Sequence, residues 1–377
     1  MIIGILKQTD NEPRICFTPQ IAKKFKILNV KIVMEKGYGH SLHYSDEDFV
    51  NEGVTIEADP QKILSSADLF LRFNKPTYDE INKMKDGATY ISFLDPFHEK
   101  ELVMQMKEKK LTAISVNMIP RTTIAQKMDG LSSQANLAGY VAVLNAAAHL
   151  STLLPMMTTP SGTLSPAKVF IIGVGVAGLQ AIATSRRLGA SVEAFDTRAI
   201  VEEQVKSLGA KFLKIDLGET NETKQGYAKA LTDAQLKKQK EEITKALAKS
   251  DIVITTAQVF GRKAPRIIDD GMIKQMKPGS IIIDMAVDSG GNVEGSKNDT
   301  WTEKHRVKIY GDSHLAKKVP IDASQMYATN LFNLLNHFFN KESKNIQLDM
   351  DSDILQSAVI THNGEITNTT LKEHYQQ

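Results

Sequence analysis

Short runs of apolar residues alternate with segments of helical periodicity from the first residue of the chain. In the first third, the apolar runs cover residues 2–7, 30–35, 68–73, 89–94 and 112–118. A second series covers residues 169–172, 191–196, 211–215, 251–257, 280–286 and 307–310. Apolar runs of this length separated by helices are typical of βαβ units around a parallel sheet. The pattern predicts an α/β fold with two doubly wound, Rossmann-like domains, each with a parallel sheet.

The last helical segment does not extend the second series. Residues 323–340 have the pattern of a long amphipathic helix, with Met326, Leu331, Leu334, Leu335 and Phe338 at helical spacing. We expect this helix to return to the first domain, which would make that domain discontinuous. The predicted domains are residues 1–131 with 320–377, and residues 132–319. An alanine-rich helix at about residues 132–153 is expected to bridge them.

Two helix starts are marked by capping residues. Thr18 before Pro19 combines an N-cap residue with one suited to the first helical position. Thr232 and Gln235 have the spacing of a capping box. The polar stretch 216–226, which precedes this second start, is interpreted as a mobile loop.

Composition narrows the class of protein. The 377 residues are 42% hydrophobic and 24% charged, as in soluble globular proteins. The net charge of +2 gives no reason to expect nucleic acid as a partner. The start of the chain lacks a signal-peptide pattern, and no uninterrupted apolar run is long enough to span a bilayer. A single cysteine, Cys16, fits a reducing compartment, and the histidines lack zinc-site spacing. We expect a cytoplasmic protein without a metal site.

The strongest motif is KVFIIGVGVAGLQAIATSRRLGASVEAFDTR, residues 168–198. Gly173, Gly175 and Gly178 form the pattern G-x-G-x-x-G between an apolar strand and a helix. This arrangement permits a tight turn, close approach of the backbone to a pyrophosphate, and close packing of the helix on the strand. Asp196 follows at the end of the next strand, where a carboxylate accepts from ribose hydroxyls and repels a 2′-phosphate. The motif therefore predicts NAD(H) rather than NADP(H), although Arg198 is a residue type that can bind a 2′-phosphate.

A second segment carries a resemblance to a known family. Residues 120–143, PRTTIAQKMDGLSSQANLAGYVAV, resemble the loop of the NAD(H)-binding component of proton-translocating NAD(P) transhydrogenases. The arginine, glutamine, aspartate and serine of that loop correspond to Arg121, Gln126, Asp129 and Ser132. Further similar stretches are TTAQVFGRKAP (255–265), MKPGSIIIDMAVDSGGN (276–292) and DASQMYATNLF (322–332), so the resemblance covers nearly the whole chain.

The resemblance implies direct hydride transfer between NAD(H) on this chain and NADP(H) on a partner subunit. Two nicotinamide rings need only be held dry and aligned for this reaction. Arg121 and Asp129 are expected to fix the carboxamide, Gln126 to help set the approach of the rings, and Ser132 to contact the ring amide. In the structural alternative, Arg121 and Asp129 form a surface ion pair worth about 0–1 kcal/mol.

The motif and the resemblance together give a nucleotide-binding set. Gly226-Tyr227-Ala228 is similar to a family segment that closes over bound nucleotide, and helix amides near Val176 and Ala177 would hold the pyrophosphate. The expected residues are Gly173, Gly175, Val176, Ala177, Gly178, Asp196, Thr197, Arg198, Tyr227, Thr256, Ala257 and Gln258. The resemblance also implies a homodimer and partner subunits that bind NADP(H) and span the membrane. The chain would then lie on the cytoplasmic face of the bacterial inner membrane.

Alanine dehydrogenases are the main alternative, because they are similar in fold and sequence pattern. Glu12-x-Arg14 resembles their substrate-arginine motif, Lys75 lies in the region of their substrate lysine, and Asp288 resembles a late acidic residue. Against this, a serine, Ser92, stands where their acid–base histidine is expected. A hydroxyl does not titrate near neutral pH. His98, six residues further on, is interpreted as a solvated turn residue.

A module that binds NAD(H) and reports redox state, without catalysis, is a third hypothesis. It would need the glycine motif but not Arg121, Gln126 and Asp129 together. Substitution of Gln126 separates the hypotheses, because an enzyme would lose transfer while it keeps nucleotide binding.

Overall fold

The chain folds into two compact units. The computed structural model describes residues 1–8, 11–215, 232–258, 261–343 and 345–376. The first unit comprises residues 1–134 and 319–377, and the second comprises residues 135–318. The first unit is therefore assembled from both ends of the chain. The predicted mobile loop at residues 216–226 lies outside the described residues.

Strands and helices alternate along the chain. The first 149 residues contain β1 (Ile2–Ile5), α1 (Pro19–Phe25), β2 (Lys31–Glu35), α2 (Asp46–Val50), β3 (Thr55–Glu57), α3 (Pro60–Ser66), β4 (Leu69–Leu71), α4 (Tyr78–Lys83), β5 (Thr89–Ser92), α5 (Lys100–Glu108), β6 (Thr112–Ser115) and α6 (Gly130–His149). The second unit continues with β7 (Met157–Thr159), β8 (Gly162–Leu164), β9 (Lys168–Ile172), α7 (Val176–Arg187), β10 (Ser191–Phe195), α8 (Glu202–Ser207), β11 (Lys211–Phe212), α9 (Asp233–Leu247), β12 (Ile252–Thr255), α10 (Asp270–Ile273), β13 (Ile281–Asp284), β14 (Thr300–Lys304) and β15 (Val307–Gly311). The chain ends in the first unit with α11 (Pro320–His337), β16 (Phe339–Asn340), β17 (Asn345–Ile346), α12 (Asp353–Ala358), β18 (Val359–His362), β19 (Glu365–Ile366) and α13 (Thr369–Gln376).

The sheet of the first unit is doubly wound around β1. Its strand order is β19-β18-β6-β5-β4-β1-β2-β3. The strands from β1 to β6 are parallel, with β2 and β3 on one side of β1 and β4, β5 and β6 on the other. The two strands from the carboxyl-terminal segment, β18 and β19, extend the sheet in antiparallel pairing. The predicted α/β class is confirmed, with an antiparallel edge that the apolar pattern did not predict.

Helix α11 covers part of this sheet. The ring of Tyr327 lies 4.9 Å from that of Phe93 and 4.5 Å from that of Phe73. Leu331, Leu334 and Leu335 are buried, as the helical spacing predicted, and Phe338 is buried at the end of the helix. The prediction that Met326 belongs to the buried stripe is wrong, because Met326 is 37% exposed and the adjacent Tyr327 fills that turn of the buried face.

The sheet of the second unit is doubly wound around β9. Its strand order is β11-β10-β9-β12-β13-β15-β14, and only β14 runs antiparallel to its neighbour. The chain proceeds from β9 to β10 on one side and later to β12 on the other. The point between β9 and β12 is therefore a topological switch point, where open α/β sheets bind ligands outside the carboxyl ends of their strands.

Some elements depart from the apolar pattern. Predicted strand 112–118 pairs only over Thr112–Ser115, because a 3₁₀ turn at Val116–Met118 follows while its apolar side chains stay buried. Trp301, first interpreted as a cap of the second unit, lies in β14 opposite Tyr310. Its ring lies 4.9 Å from that of Tyr310 and 4.2 Å from that of His149. Aromatic packing therefore covers this edge of the sheet.

Both predicted helix starts are confirmed. Thr18 is the N-cap of α1, with Pro19 as the first helical residue. At the start of α9, the Thr232 amide donates to the Gln235 side chain and the Gln235 amide donates to the Thr232 hydroxyl. Among the described residues, no helix combines the length and the apolar character that a membrane crossing requires.

Candidate nucleotide-binding site

The turn after β9 is shaped by its glycines. Gly173 has a φ of +92°, and a Cβ there would lie 2.8 Å from the Thr256 hydroxyl oxygen. A Cβ on Gly178 would lie 2.0 Å from the Gly173 carbonyl oxygen. A Cβ on Gly175, in contrast, would meet no atom within 4 Å among the described residues. The first and third glycines are therefore required by packing within the protein, whereas the second leaves open the side from which a ligand can reach the backbone.

Helix α7 starts directly at this turn. Gly175 is its N-cap and provides no side-chain hydrogen bond to the first amides. The amides of Val176, Ala177 and Gly178 belong to the first turn of the helix, where amides have no partner within the helix itself. Val176 is exposed. Such a helix start favours an anion such as a pyrophosphate.

Close packing from α6 supports the turn. A Cβ on Gly139 would lie 2.2 Å from the Ala177 carbonyl oxygen. Gly139 thus lets α6 approach the first turn of α7 at backbone distance. Nothing in the glycine motif identified this residue, because it lies well upstream of the motif in the sequence.

Asp196 and Arg198 form a compact charge pair beyond the end of β10. The Asp196 carboxylate accepts from the Val174 amide at 2.7 Å and the Arg198 amide at 2.9 Å. It also accepts from Arg198 Nε at 2.9 Å and Nη2 at 3.0 Å. The Asp196 side chain is only 8% exposed. The arginine that raised the question of a 2′-phosphate is therefore ion-paired with the acid that disfavours one, and Thr197 lies between the two in the chain.

The segment after β12 borders the glycine turn. The Thr256 hydroxyl donates to the Gly173 carbonyl at 2.9 Å. The Gln258 side chain donates to the Met285 carbonyl at 3.2 Å. Together with Ala257, these residues place three more of the predicted residues at the switch point. Tyr227, the remaining predicted nucleotide-binding residue, lies outside the described residues, as do Gly226 and Ala228.

The loop that carries the predicted catalytic residues belongs to the first unit. Asp129 is 7% exposed and accepts from the Ser132 amide at 2.9 Å and from the Ser132 hydroxyl at 2.5 Å. These bonds cap the start of α6, so the structure brings Asp129 and Ser132 together. Arg121 and Gln126 lie on the same loop with exposed side chains.

The arginine of the alternative dehydrogenase motif is fully engaged. Arg14 is 5% exposed. Its Nε and Nη2 donate to the Glu12 carboxylate at 2.7 and 2.8 Å, and its Nη1 donates to the Gln134 side chain at 2.9 Å. The guanidinium lies 4.0 Å from the centre of the Phe73 ring. This arrangement stabilises the first unit and offers a substrate carboxylate little access to the guanidinium.

Other residues of that motif are engaged in a similar way. Ser92 is fully buried, and its hydroxyl has no hydrogen-bond partner among the described residues. His98 lies in an exposed turn beside Asp95, as predicted. Lys75 is ion-paired with Glu99. The described residues around Ser92 therefore provide no imidazole in place of the expected acid–base group.

Comparisons with known proteins agree on one family. The model of the Alanine dehydrogenase/PNT N-terminal domain matches residues 4–138, and that of the C-terminal domain matches residues 142–369. The first component of the split NAD(P) transhydrogenase subunit alpha of Rickettsia prowazekii is 38% identical over 100% of this chain and 98% of its own length. The corresponding component from Rhodospirillum rubrum is 40% identical over 98% of this chain and 99% of its own length. The solved transhydrogenase structure from Sinorhizobium meliloti has a TM-score of 0.85 at 36% identity and covers 98% of this chain and 100% of that one.

The chain therefore belongs to the Alanine dehydrogenase/PNT family. Its full-length similarity to NAD(P) transhydrogenase alpha subunits makes it an oxidoreductase of the transhydrogenase branch. An NAD(H)-binding second unit fits this family.

Proposed function

We propose that the chain binds NAD(H) at the turn after β9 and exchanges a hydride directly with NADP(H) held by a separate partner subunit. The observation that carries the proposal is the glycine turn at the switch point of the second sheet. Gly173 and Gly178 are fixed by contacts below 3 Å, while the side of Gly175 is open. That combination suits a dinucleotide pyrophosphate at the start of α7.

The residues of this chain bind and orient rather than transfer protons. When bound, the nicotinamide ring supplies the hydride chemistry. Amides of Val176 and Ala177 hold the pyrophosphate, and Asp196 accepts from the ribose hydroxyls. A ribose hydroxyl that reaches Asp196 takes the place of a side-chain donor of Arg198, because the carboxylate already accepts from four donors.

The loop of the first unit orients the reacting end. Arg121 and Asp129 fix the carboxamide, with Ser132 beside it, and Gln126 helps to set the approach of the second nicotinamide. Support comes from the bonds that hold Asp129 and Ser132 in one fixed arrangement at the start of α6. Preorganised groups of this kind lower the entropy cost of alignment.

Alanine dehydrogenase activity is the competing proposal, and the first unit argues against it. Arg14 is held by Glu12 and Gln134, and the position expected to carry a histidine is the buried Ser92. Reductive amination of a 2-oxo acid needs both a carboxylate-binding cation and a group that titrates near neutral pH.

Partner subunits follow from the split form of the relatives. The names of the two relatives describe each as the first piece of a divided alpha subunit, which implies further pieces of the enzyme. We propose that one partner binds NADP(H) and that others span the membrane. This chain would then lie on the cytoplasmic face of the bacterial inner membrane through those subunits.

A second copy of the chain is the remaining proposed partner. Strands β7 and β8 form a two-stranded sheet whose residues are all exposed within the single chain. An isolated two-stranded hairpin is at best marginally stable in water. Leu153, Met156, Met157 and Leu164, at or beside this hairpin, are each at least 44% exposed. Burial of this apolar hairpin against a second copy supports a homodimer.

One paired assay tests the main proposal. NADH oxidation is followed with an NADP⁺ analogue in the presence and absence of the NADP(H)-binding partner, and separately with pyruvate and ammonium. We expect oxidation only with the analogue and the partner together. Oxidation driven by pyruvate and ammonium without a partner would establish alanine dehydrogenase activity instead. Nucleotide binding without any transfer would favour a redox-sensing module.

A further inference from the structure

Asn292 is a buried residue whose side chain binds the segment next to the glycine turn. It is fully buried. Its Oδ1 accepts from the Ala257 amide at 3.0 Å, and its Nδ2 donates to the Ala257 carbonyl at 2.8 Å and the Pro265 carbonyl at 2.9 Å. The side-chain amide therefore pairs with both backbone groups of Ala257, as a neighbouring strand would do.

Asp284 holds the loop that contains Asn292. This carboxylate is fully buried at the end of β13. Its Oδ1 accepts from the Thr255 hydroxyl at 3.2 Å and from the amides of Ala286 and Asn292 at 3.0 and 3.3 Å. Its Oδ2 accepts from the Val293 amide at 3.1 Å and the Ser296 hydroxyl at 2.8 Å. Hydrogen bonds to an ionised acceptor in a buried setting are stronger than neutral ones, so this loop is held firmly.

The loop backbone is shaped to allow these contacts. Gly291 has a φ of +76°, and a Cβ there would lie 2.9 Å from Asp284 Oδ2. Gly290 has a φ of +106°. The two glycines let the chain turn tightly around the carboxylate and return Asn292 toward Ala257.

These contacts form a continuous series from β13 to the glycine turn. Asp284 binds the Asn292 amide, and the Asn292 side chain binds Ala257. Thr256, the residue before Ala257, donates to the Gly173 carbonyl. All of these groups lie in the second unit, between the ends of β9, β12 and β13.

We infer that Asn292 and Asp284 are positioning residues for the bound nucleotide: they fix Thr256 and Ala257, and through them the Gly173 turn. This inference rests on the proposed function, because it concerns the same nucleotide site. Neither residue belongs to the glycine motif or to the loop of the first unit.

The test is the isosteric change Asn292→Asp in the full-length chain. It replaces the two donors to the Ala257 and Pro265 carbonyls with a carboxylate oxygen, which repels them. We expect the Kd for NADH, measured by fluorescence titration, to rise about tenfold, the size expected for loss of one or two buried hydrogen bonds. In the partner assay, KM for NADH should rise by a similar factor while kcat stays within about twofold, because saturating nucleotide reorders the segment.

The matched control is Asn368→Asp. Asn368 is also a buried asparagine, in the first unit, with bonds to the Ser357 carbonyl and the Leu371 amide. We expect this variant to lower Tm without any change in the Kd for NADH. Equal Kd values for wild type and N292D would overturn the inference while the proposed function stands. A wild-type chain that binds no NADH would overturn both.

A milder variant covers the case in which N292D does not fold. Ser296→Ala removes only the 2.8 Å bond to Asp284 Oδ2. We expect the Kd for NADH to rise about threefold, with circular dichroism unchanged. An unchanged Kd in S296A, if N292D is unfolded, counts against the inference.

Discussion

Asp196 and Arg198 are bonded to each other at two side-chain positions, and at the residue scale this pair sets the expected nucleotide preference. The carboxylate blocks a 2′-phosphate by charge repulsion, and it also holds the arginine that could bind one. Removal of the carboxylate therefore has two effects in the same direction. It deletes the ribose acceptor and releases a guanidinium suited to phosphate.

Asp196→Asn is expected to weaken NADH binding about tenfold, or ~1.4 kcal/mol, and to strengthen NADPH binding by a similar factor. The measurement is the Kd of each nucleotide by fluorescence titration. Arg198→Gln is the control, since it keeps the acid. It should retain NADH binding and continue to exclude NADPH. If D196N kept the wild-type ratio of the two Kd values, Asp196 would not be the discriminating group.

Asp129 has a structural role that could by itself explain its burial. It caps α6 through Ser132, and loss of an N-cap costs about 0.5–2 kcal/mol. The proposed contact with the nicotinamide requires the carboxylate in addition. The two roles call for different side chains, because serine can also cap a helix but carries no charge.

Asp129→Ser is therefore expected to lower Tm little and hydride transfer strongly, by about a hundredfold, whereas Asp129→Ala should lower both. Tm by calorimetry and kcat with the partner present are the two measurements. Full transfer activity in D129S would reduce Asp129 to a helix cap.

At the scale of elements, the strand–turn–helix from β9 to α7 separates folding from binding within one motif. Gly178 cannot gain a Cβ without displacing the Gly173 carbonyl, whereas Gly175 can. The same substitution at the two positions should therefore have opposite consequences.

Gly178→Ala is expected to destabilise the protein by about 1–3 kcal/mol through overpacking. Gly175→Ala should leave Tm close to that of the wild type and weaken NADH binding at least about tenfold, because the added methyl stands where the pyrophosphate approaches. Thermal unfolding and NADH titration of both variants check this. Wild-type NADH affinity in G175A would place the nucleotide elsewhere.

Sequence could predict the elements whose information is local. The apolar runs predicted both parallel sheets, and the glycine motif identified the turn because its spacing is contained in a short segment. Asn292 was not predicted, since its partner Ala257 lies 35 residues away and only the fold brings them together. The edge strands β14 and β18 were missed for a related reason: their pairing is antiparallel and depends on distant partners.

At the scale of the whole molecule, the exposed hairpin is the feature least suited to a lone chain. We expect the wild type to be a dimer and the double variant Met157→Asp, Leu164→Asp to be a monomer, because charge on both strands opposes burial of the hairpin. Light scattering after size exclusion gives the mass. Ile27→Asp, at a position 61% exposed in the first unit, is the control and should remain a dimer. A wild-type monomer, or a dimeric double variant, would contradict the proposed interface.

Direct hydride transfer between two nicotinamide rings is the central proposal, and isotope transfer tests it most directly. NADH deuterated at the transferable position of the ring is mixed with the chain, its NADP(H)-binding partner and an NADP⁺ analogue, and the reduced analogue is analysed by mass spectrometry. We expect the deuterium to appear in the reduced analogue only when the partner is present. Loss of the deuterium to solvent, or its appearance in lactate or alanine when pyruvate and ammonium are supplied, would contradict the proposal.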